Sequence, residues 1–123
     1  GGRIAVLGYY PWTSLQNLAK TTQLKSLCRW LSRDRLPVYV SSFHKVALWC
    51  RRDPNGALVA PLLNASADAV QGVRLHVLAE GPFALVRLDG RQERATSIGR
   101  DGPYRILELP SLGPWEVILV AGQ

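Results

Sequence analysis

Val46-Ala47-Leu48-Trp49-Cys50-Arg51-Arg52-Asp53-Pro54-Asn55-Gly56-Ala57-Leu58-Val59-Ala60-Pro61-Leu62-Leu63-Asn64 is the stretch that decides the fold. Val46, Leu48 and Cys50 alternate with Ala47, Trp49 and Arg51, and a period of two places the two sets on opposite faces of a strand. Asp-Pro-Asn-Gly then reverses the chain, because Pro presets φ and Asn-Gly tolerates the positive φ of a tight turn. Leu58 to Asn64 runs back as a second strand. Pro61 has no N–H to give a ladder, so its strand is expected at a sheet edge or a bulge. Trp49 and Trp115 are expected in the core or between sheets.

Residues 73–78 continue in the same format, with Val73, Leu75 and Val77 inward and Arg74 and His76 outward. Further strands are expected at 83–88, at 92–98 as a polar edge strand, at 104–109 and at 115–120. Asp89-Gly90, Arg100-Asp101-Gly102-Pro103 and Gly113-Pro114 supply the turns. About seven strands, with a turn roughly every ten residues, imply a mainly β protein built as an antiparallel β-sandwich.

The chain before the hairpin has a different style. Arg3-Ile4-Ala5-Val6-Leu7-Gly8 is a continuous apolar run, the pattern of a strand buried on both faces in a parallel sheet. Leu24, Leu27, Cys28 and Leu31 recur at helical spacing, with Thr22 as the expected N-cap and Leu36-Pro37 as the stop. Residues 14–19 read as a separate helical turn, and 37–40 as extended. Residues 1–43 are therefore expected to be a strand-helix α/β remnant and residues 44–123 the sandwich domain.

Charge divides the chain in the same way. Of a net +6, Arg3, Lys20, Lys25, Arg29, Arg33 and Arg35 against Asp34 alone place +5 in residues 1–43. The sandwich is nearly neutral, which argues against a nucleic-acid module built on the sheet. Lys25, Arg29 and Arg33, at i, i+4 and i+8, form a solvated helix face or a docking face for an acidic partner. Base-stacking aromatics are missing from it.

A hydrophobic content of 47% with 20% charged residues is that of a packed globular chain. Cys28 and Cys50 are too few for a disulfide framework and have no zinc spacing; they read as buried small hydrophobes, with one bridge as the alternative. No apolar run approaches the roughly 18 residues of a membrane span. The opening on Gly1-Gly2 and the absence of Met read as a piece of a longer polypeptide, and targeting is not legible.

Little points to catalysis. His44 and His76 have no second ligand at metal spacing and read as solvent-facing or loop residues, so no metal and no cofactor is expected. Ser14, Ser41, Ser42 and Ser66 lack the context of a nucleophile elbow. Asp53, Asp68, Asp89 and Asp101 fall in turns, where side-chain capping explains them. Glu108 and Glu116 are isolated on strands, and no phosphate-binding Gly pattern is present. Tyr9, Tyr10 and Trp12 cluster after the first apolar run, where flat rings would either stack on sugars or pack at a domain interface. Asn64-Ala65-Ser66 fits the glycosylation sequon.

Taken in order, Gly2-Arg3-Ile4-Ala5-Val6-Leu7-Gly8-Tyr9, Pro11-Trp12, Trp30-Leu31-Ser32, Leu36-Pro37-Val38, Asp53-Pro54-Asn55-Gly56 and Leu62-Leu63-Asn64-Ala65-Ser66-Ala67-Asp68 resemble the C-terminal end of large bacterial beta-galactosidase-like glycoside hydrolases. In that family a catalytic TIM barrel is followed by a glutamine-amidotransferase-like α/β domain and a small β-domain. The resemblance implies a non-catalytic accessory domain whose partners are the upstream domains of the same parent chain, since the family's catalytic glutamates lie in the barrel. The alternatives are a carbohydrate-binding module using Tyr9, Tyr10 and Trp12, and a basic adaptor that binds nucleic acid or an acidic partner through Lys25, Arg29 and Arg33.

Overall fold

The one helix among the described residues, α1 (Leu18–Leu31), begins where Asn17 turns its side chain onto the first free amides, accepting from Ala19 N at 2.9 Å and Lys20 N at 3.3 Å. An N-cap carboxamide of this kind satisfies donors that the helix itself leaves open. The cap is thus Asn17 rather than Thr22, and the polar Lys20-Thr21-Thr22 run is carried inside the helix. The computed structural model describes residues 1–11 and 17–122; Trp12 and Ser14 lie outside the described residues.

The chain divides into two units, Gly1–Leu36 and Pro37–Gln123. In the first, residues 3–8 form no strand. Ile4 is 84% and Val6 90% exposed, whereas the apolar run alone predicts burial on both faces. A strand needs a neighbour to take its backbone hydrogen bonds, and none pairs with this segment among the described residues. The segment instead lies beside α1: Arg33 donates to the Gly1 carbonyl, Arg3 to the Trp30 carbonyl, and Tyr9 Oη to Gln23 Oε1 at 2.8 Å. No residue of α1 is fully buried. Leu24, Leu27, Lys25 and Arg29 are half-buried, while Cys28 and Leu31 are exposed. The basic residues therefore do not form a separate solvated side. Long cationic stems cover apolar surface while their charges stay hydrated.

Among the described residues, the second unit holds ten strands in two antiparallel sheets. The smaller sheet is built from β1 (Val38–Val40), β5 (Arg74–Val77), β8 (Thr96–Asp101) and β9 (Tyr104–Glu108), in the order β1-β5-β9-β8. The larger is built from β2 (Val46–Leu48), β4 (Leu58–Asn64), β6 (Phe83–Arg87), β7 (Gln92–Arg94) and β10 (Val117–Gly122), in the order β2-β4-β10-β6-β7. The short β3 (Arg51–Arg52) also pairs with β4. The sandwich thus begins at Val38, upstream of residue 44. Val38, Val40, Leu75, Val77 and Leu107 of one sheet meet Leu58, Ala60, Leu62, Leu85, Ile118 and Val120 of the other in the core. Each Val, Leu or Ile of this set contributes roughly 1.5–3 kcal/mol when fully buried.

The deciding hairpin forms with the expected faces. Val46, Leu48, Arg51 and Arg52 pair with Asn64, Leu62, Val59 and Leu58, a single unbroken register. Asp53 Oδ1 accepts from Asn55 N at 2.9 Å and Ala57 N at 2.8 Å, and Gly56 takes φ 85°. Pro61, however, sits in the middle of a central strand and not at an edge. Its carbonyl accepts from Trp49 N at 3.1 Å, so its ring nitrogen faces the β2–β3 side. The missing N–H falls where the outer strand is interrupted between Leu48 and Arg51, and the β10 side of the ladder stays intact.

The single edge strand expected at 92–98 is two strands in different sheets. β7 pairs with β6 and β8 with β9, and the chain crosses at Ala95, whose N–H donates to Phe83 O at 2.8 Å. The last strand starts at Val117 because Gly113–Glu116 is a turn, closed by Glu116 N to Gly113 O at 3.2 Å.

Candidate interaction face

The outer face of the larger sheet follows from register alone. Residues opposite one another in an antiparallel pair share a face, and Leu58, Ala60, Leu62, Leu85, Ile118 and Val120 point into the core. Their alternates therefore point out. One row reads Ala47, Leu63, Val117; the next Trp49, Pro61, Leu119, Val86, Gln92; the third Arg51, Val59, Ala121, Ala84, Arg94. Antiparallel sheets that face water normally alternate apolar inside with polar outside. Here the centre of the outer lattice is apolar throughout, and polar side chains stand only at its margins.

Three exposed large side chains extend this face. Trp49 is 47%, Trp115 65% and Leu88 77% exposed. Neither tryptophan is the core residue that sequence alone predicts. Trp115 adopts φ 57°, two residues after Gly113 and following Pro114, in a turn position ordinarily filled by Gly or Asn. A bulky aromatic in the left-handed region is strained, and such strain persists where surrounding contacts fix it. Glu116 supplies them: Oε2 accepts from Gly113 N at 2.7 Å and Oε1 pairs with the Arg87 guanidinium. The turn is thereby anchored to β6 while the indole is held outward. A depression of about 530 Å³ lined by Arg87, Arg91, Gln92 and Glu93 adjoins this end. Its walls are charged, unlike those of an apolar small-molecule pocket. There the Asp89 carboxylate is held below its ordinary pKa by the Arg91 backbone N–H, then by the Arg91 side chain.

The residues expected to bind ligands are placed as follows. Tyr9 is half-buried, its hydroxyl given to Gln23 and its ring under the Lys20 ammonium at 4.2 Å. Tyr10 is exposed, and Trp12 lies outside the described residues. On α1, desolvation lowers the Lys25 pKa, Arg29 Nε pairs with Asp34 Oδ1 at 2.7 Å, and Arg33 reaches back to Gly1. Both cysteines are free: Cys28 is exposed, and Cys50 packs half-buried against the core. No cluster of three or more His, Cys, Asp or Glu that would hold a metal occurs among the described residues. No helix among them is long and apolar enough to cross a membrane.

His76 departs from expectation. It faces away from the sandwich core, yet it is buried, hydrogen-bonded through Nδ1 to Tyr39 Oη at 2.8 Å. Tyr39 Oη also donates to Asp101 Oδ2 at 3.3 Å, so Asp101 bridges strands rather than caps a turn. Asn64 is fully buried and gives Nδ2 to three carbonyls, those of Asp68 and Gly113 at 2.8 Å and Leu112 at 3.3 Å. Its side-chain nitrogen is inaccessible in the folded chain. The Asn-Ala-Ser triplet is a structural turn, with Ser66 Oγ accepting from Asp68 N at 3.0 Å.

No protein-family model matches this chain, and none of the curated proteins matches it.

Proposed function

We propose that this chain is a non-catalytic accessory module of a carbohydrate-active enzyme, a glycoside hydrolase, that packs against a neighbouring domain through the outer face of its larger sheet. The observation that carries the packing role is the apolar lattice centred on Leu63, Pro61, Leu119 and Val117. Contiguous apolar surface of this kind, rimmed by polar residues, marks an interaction site. Trp49 and Trp115 at its margin are of the residue type that most often anchors interfaces. The class of the parent enzyme rests on the resemblance of residues 2–68 to the end of beta-galactosidase-like hydrolases.

The test is Leu119→Arg in the polypeptide that carries this chain. Packing predicts that the catalytic part loses thermal stability while the sandwich still folds. Unchanged melting of the whole would refute the packing role. Retention on an immobilised polysaccharide, abolished by Trp115→Ala, would instead make the same face a glycan platform and overturn the reading.

A further inference from the structure

We infer that the cleft beside Ala95, where the chain crosses from one sheet to the other, is a binding site for a small organic carboxylate with an apolar body. Register identifies the faces. Leu75 and Val77 point into the core, so their β9 partners Leu107 and Arg105 point the same way, and Ser97 of β8 follows Leu107. A serine and an arginine thus stand at positions that the alternation of these strands assigns to the core. Polar residues placed there are costly unless something uses them. The β-bulge after Ser97 also sets Arg100 directly opposite Arg105, and like charges so placed repel. Glu80 lies between them: its Oε2 accepts from Arg100 Nη2 at 2.7 Å and from Arg105 Nη2 at 2.9 Å. One carboxylate serves two guanidiniums.

These side chains border a cleft of about 240 Å³, with Phe83, Ala95 and Leu107 as its apolar lining and Arg94, Ser97 and Arg105 as its polar one. The Arg105 side chain is only 25% exposed. It donates Nη1 to Gly81 O at 2.8 Å and Nη2 to Glu80, so three of its five N–H donors have no acceptor among the described residues. The Arg94 guanidinium and the Ser97 hydroxyl have no hydrogen-bond partner among them either. Arg94, Arg100 and Arg105 against Glu80 leave two positive charges around the cleft. Spare donors and surplus positive charge at one opening call for an anion. A guanidinium matches a carboxylate in particular, because its planar fork gives two parallel bonds to the two oxygens. The apolar lining favours a ligand with a hydrophobic body over a fully hydrated phosphate. The volume falls below the roughly 300–1,000 Å³ of sites for drug-sized molecules, so that body is small, about one ring. This site does not depend on the packing role proposed above.

Benzoate titrated into the isotope-labelled protein tests it, followed through the backbone amide and arginine Nε resonances. The expected result is saturable shifts centred on Arg94, Ser97 and Arg105, with a dissociation constant of about 1 mM or below. Benzamide, which has the same shape without the charge, should bind at least tenfold more weakly. Arg94→Gln alters an exposed side chain with no partner, so it should leave the melting temperature unchanged and weaken benzoate at least fivefold. Arg105→Lys keeps the charge and loses the fork, and should weaken it by a similar factor. The absence of saturable shifts at these residues up to about 20 mM benzoate would overturn the inference, as would binding by both variants equal to the parent's. Inorganic phosphate bound as tightly as benzoate would overturn the assignment of an apolar carboxylate. Leu119→Arg, on the outer face, should leave the titration unchanged, so a failure of the packing role and a failure of this site read out separately.

Discussion

Replacing Asn64 by Ala removes the side chain that ties the end of β4 to residues 68, 112 and 113. The carbonyls it serves are not left bare. Leu112 O also accepts from Val70 N, Gly113 O from Glu116 N, and Asp68 O from Ser66 Oγ. The loss is therefore that of two good hydrogen bonds at about 1 kcal/mol each, with roughly 1 kcal/mol more for the small void. It is partly offset because Asn64 Oδ1 has no partner among the described residues. A net destabilisation of about 2–3 kcal/mol follows, which at a urea m-value of roughly 1.5 kcal/mol/M lowers the unfolding midpoint by about 1.3–2 M.

Asn64→Asp is the sharper variant, since it turns a carboxylate toward three carbonyl oxygens. Its folded pKa is raised, so the damage is complete above that pKa and is relieved as pH falls and the carboxyl becomes a donor. The assay is urea unfolding of both variants against the parent protein at matched pH. A loss under about 1 kcal/mol for Asn64→Ala, or an Asn64→Asp deficit that does not shrink in acid, would refute the donor role assigned to Nδ2.

Three further outcomes are expected. Trp115→Gly relieves a left-handed conformation worth roughly 1–2 kcal/mol at the expense of about 0.5–1 kcal/mol of chain entropy, so it should raise thermal stability slightly while weakening binding through the outer face. Leu62→Ala, in the core, should cost about 2–5 kcal/mol, whereas Leu63→Ala, one residue on and outward, should cost under about 1 kcal/mol; equal losses would show that the outer face is buried within the chain. The Glu80 pKa is lowered from 4.5, first by the hydrogen bond from Arg100, with charge from Arg100 and Arg105 adding to it. Its contribution is present above the unfolded value and lost as pH falls through the depressed one, so the gap between Glu80→Gln and the parent in a pH series of melting temperatures should close below pH 4.5.

The hairpin was legible because its two signals are local: alternation fixes the faces, and Asp-Pro-Asn-Gly fixes the turn. Residues 92–98 were not, because nothing in Gln92-Glu93-Arg94 or Thr96-Ser97 says which sheet each will join, and the crossing at Ala95 is decided by its bond to Phe83. His76 alternates with core residues and so reads as outward; its burial is a tertiary fact. The interaction face did leave a trace. Residues 58–63 and 117–121 are continuous apolar runs, a pattern that points to cover on both faces of a strand. Reading them as simple half-buried strands passes over that surplus, and Trp115 gives no local sign of its positive φ.

Pro61 bears on how such a surface can exist in solution. The outermost strand of the larger sheet is broken where Pro61 withholds its N–H, and the remainder of that edge carries Arg51 and Arg52. A neighbouring chain that settled on the apolar face would find no uninterrupted ladder to continue along that edge, and would meet charge beyond the gap. The interrupted strand thus denies that edge a continuous ladder, so the apolar face lies beside a border that offers little for another chain to extend.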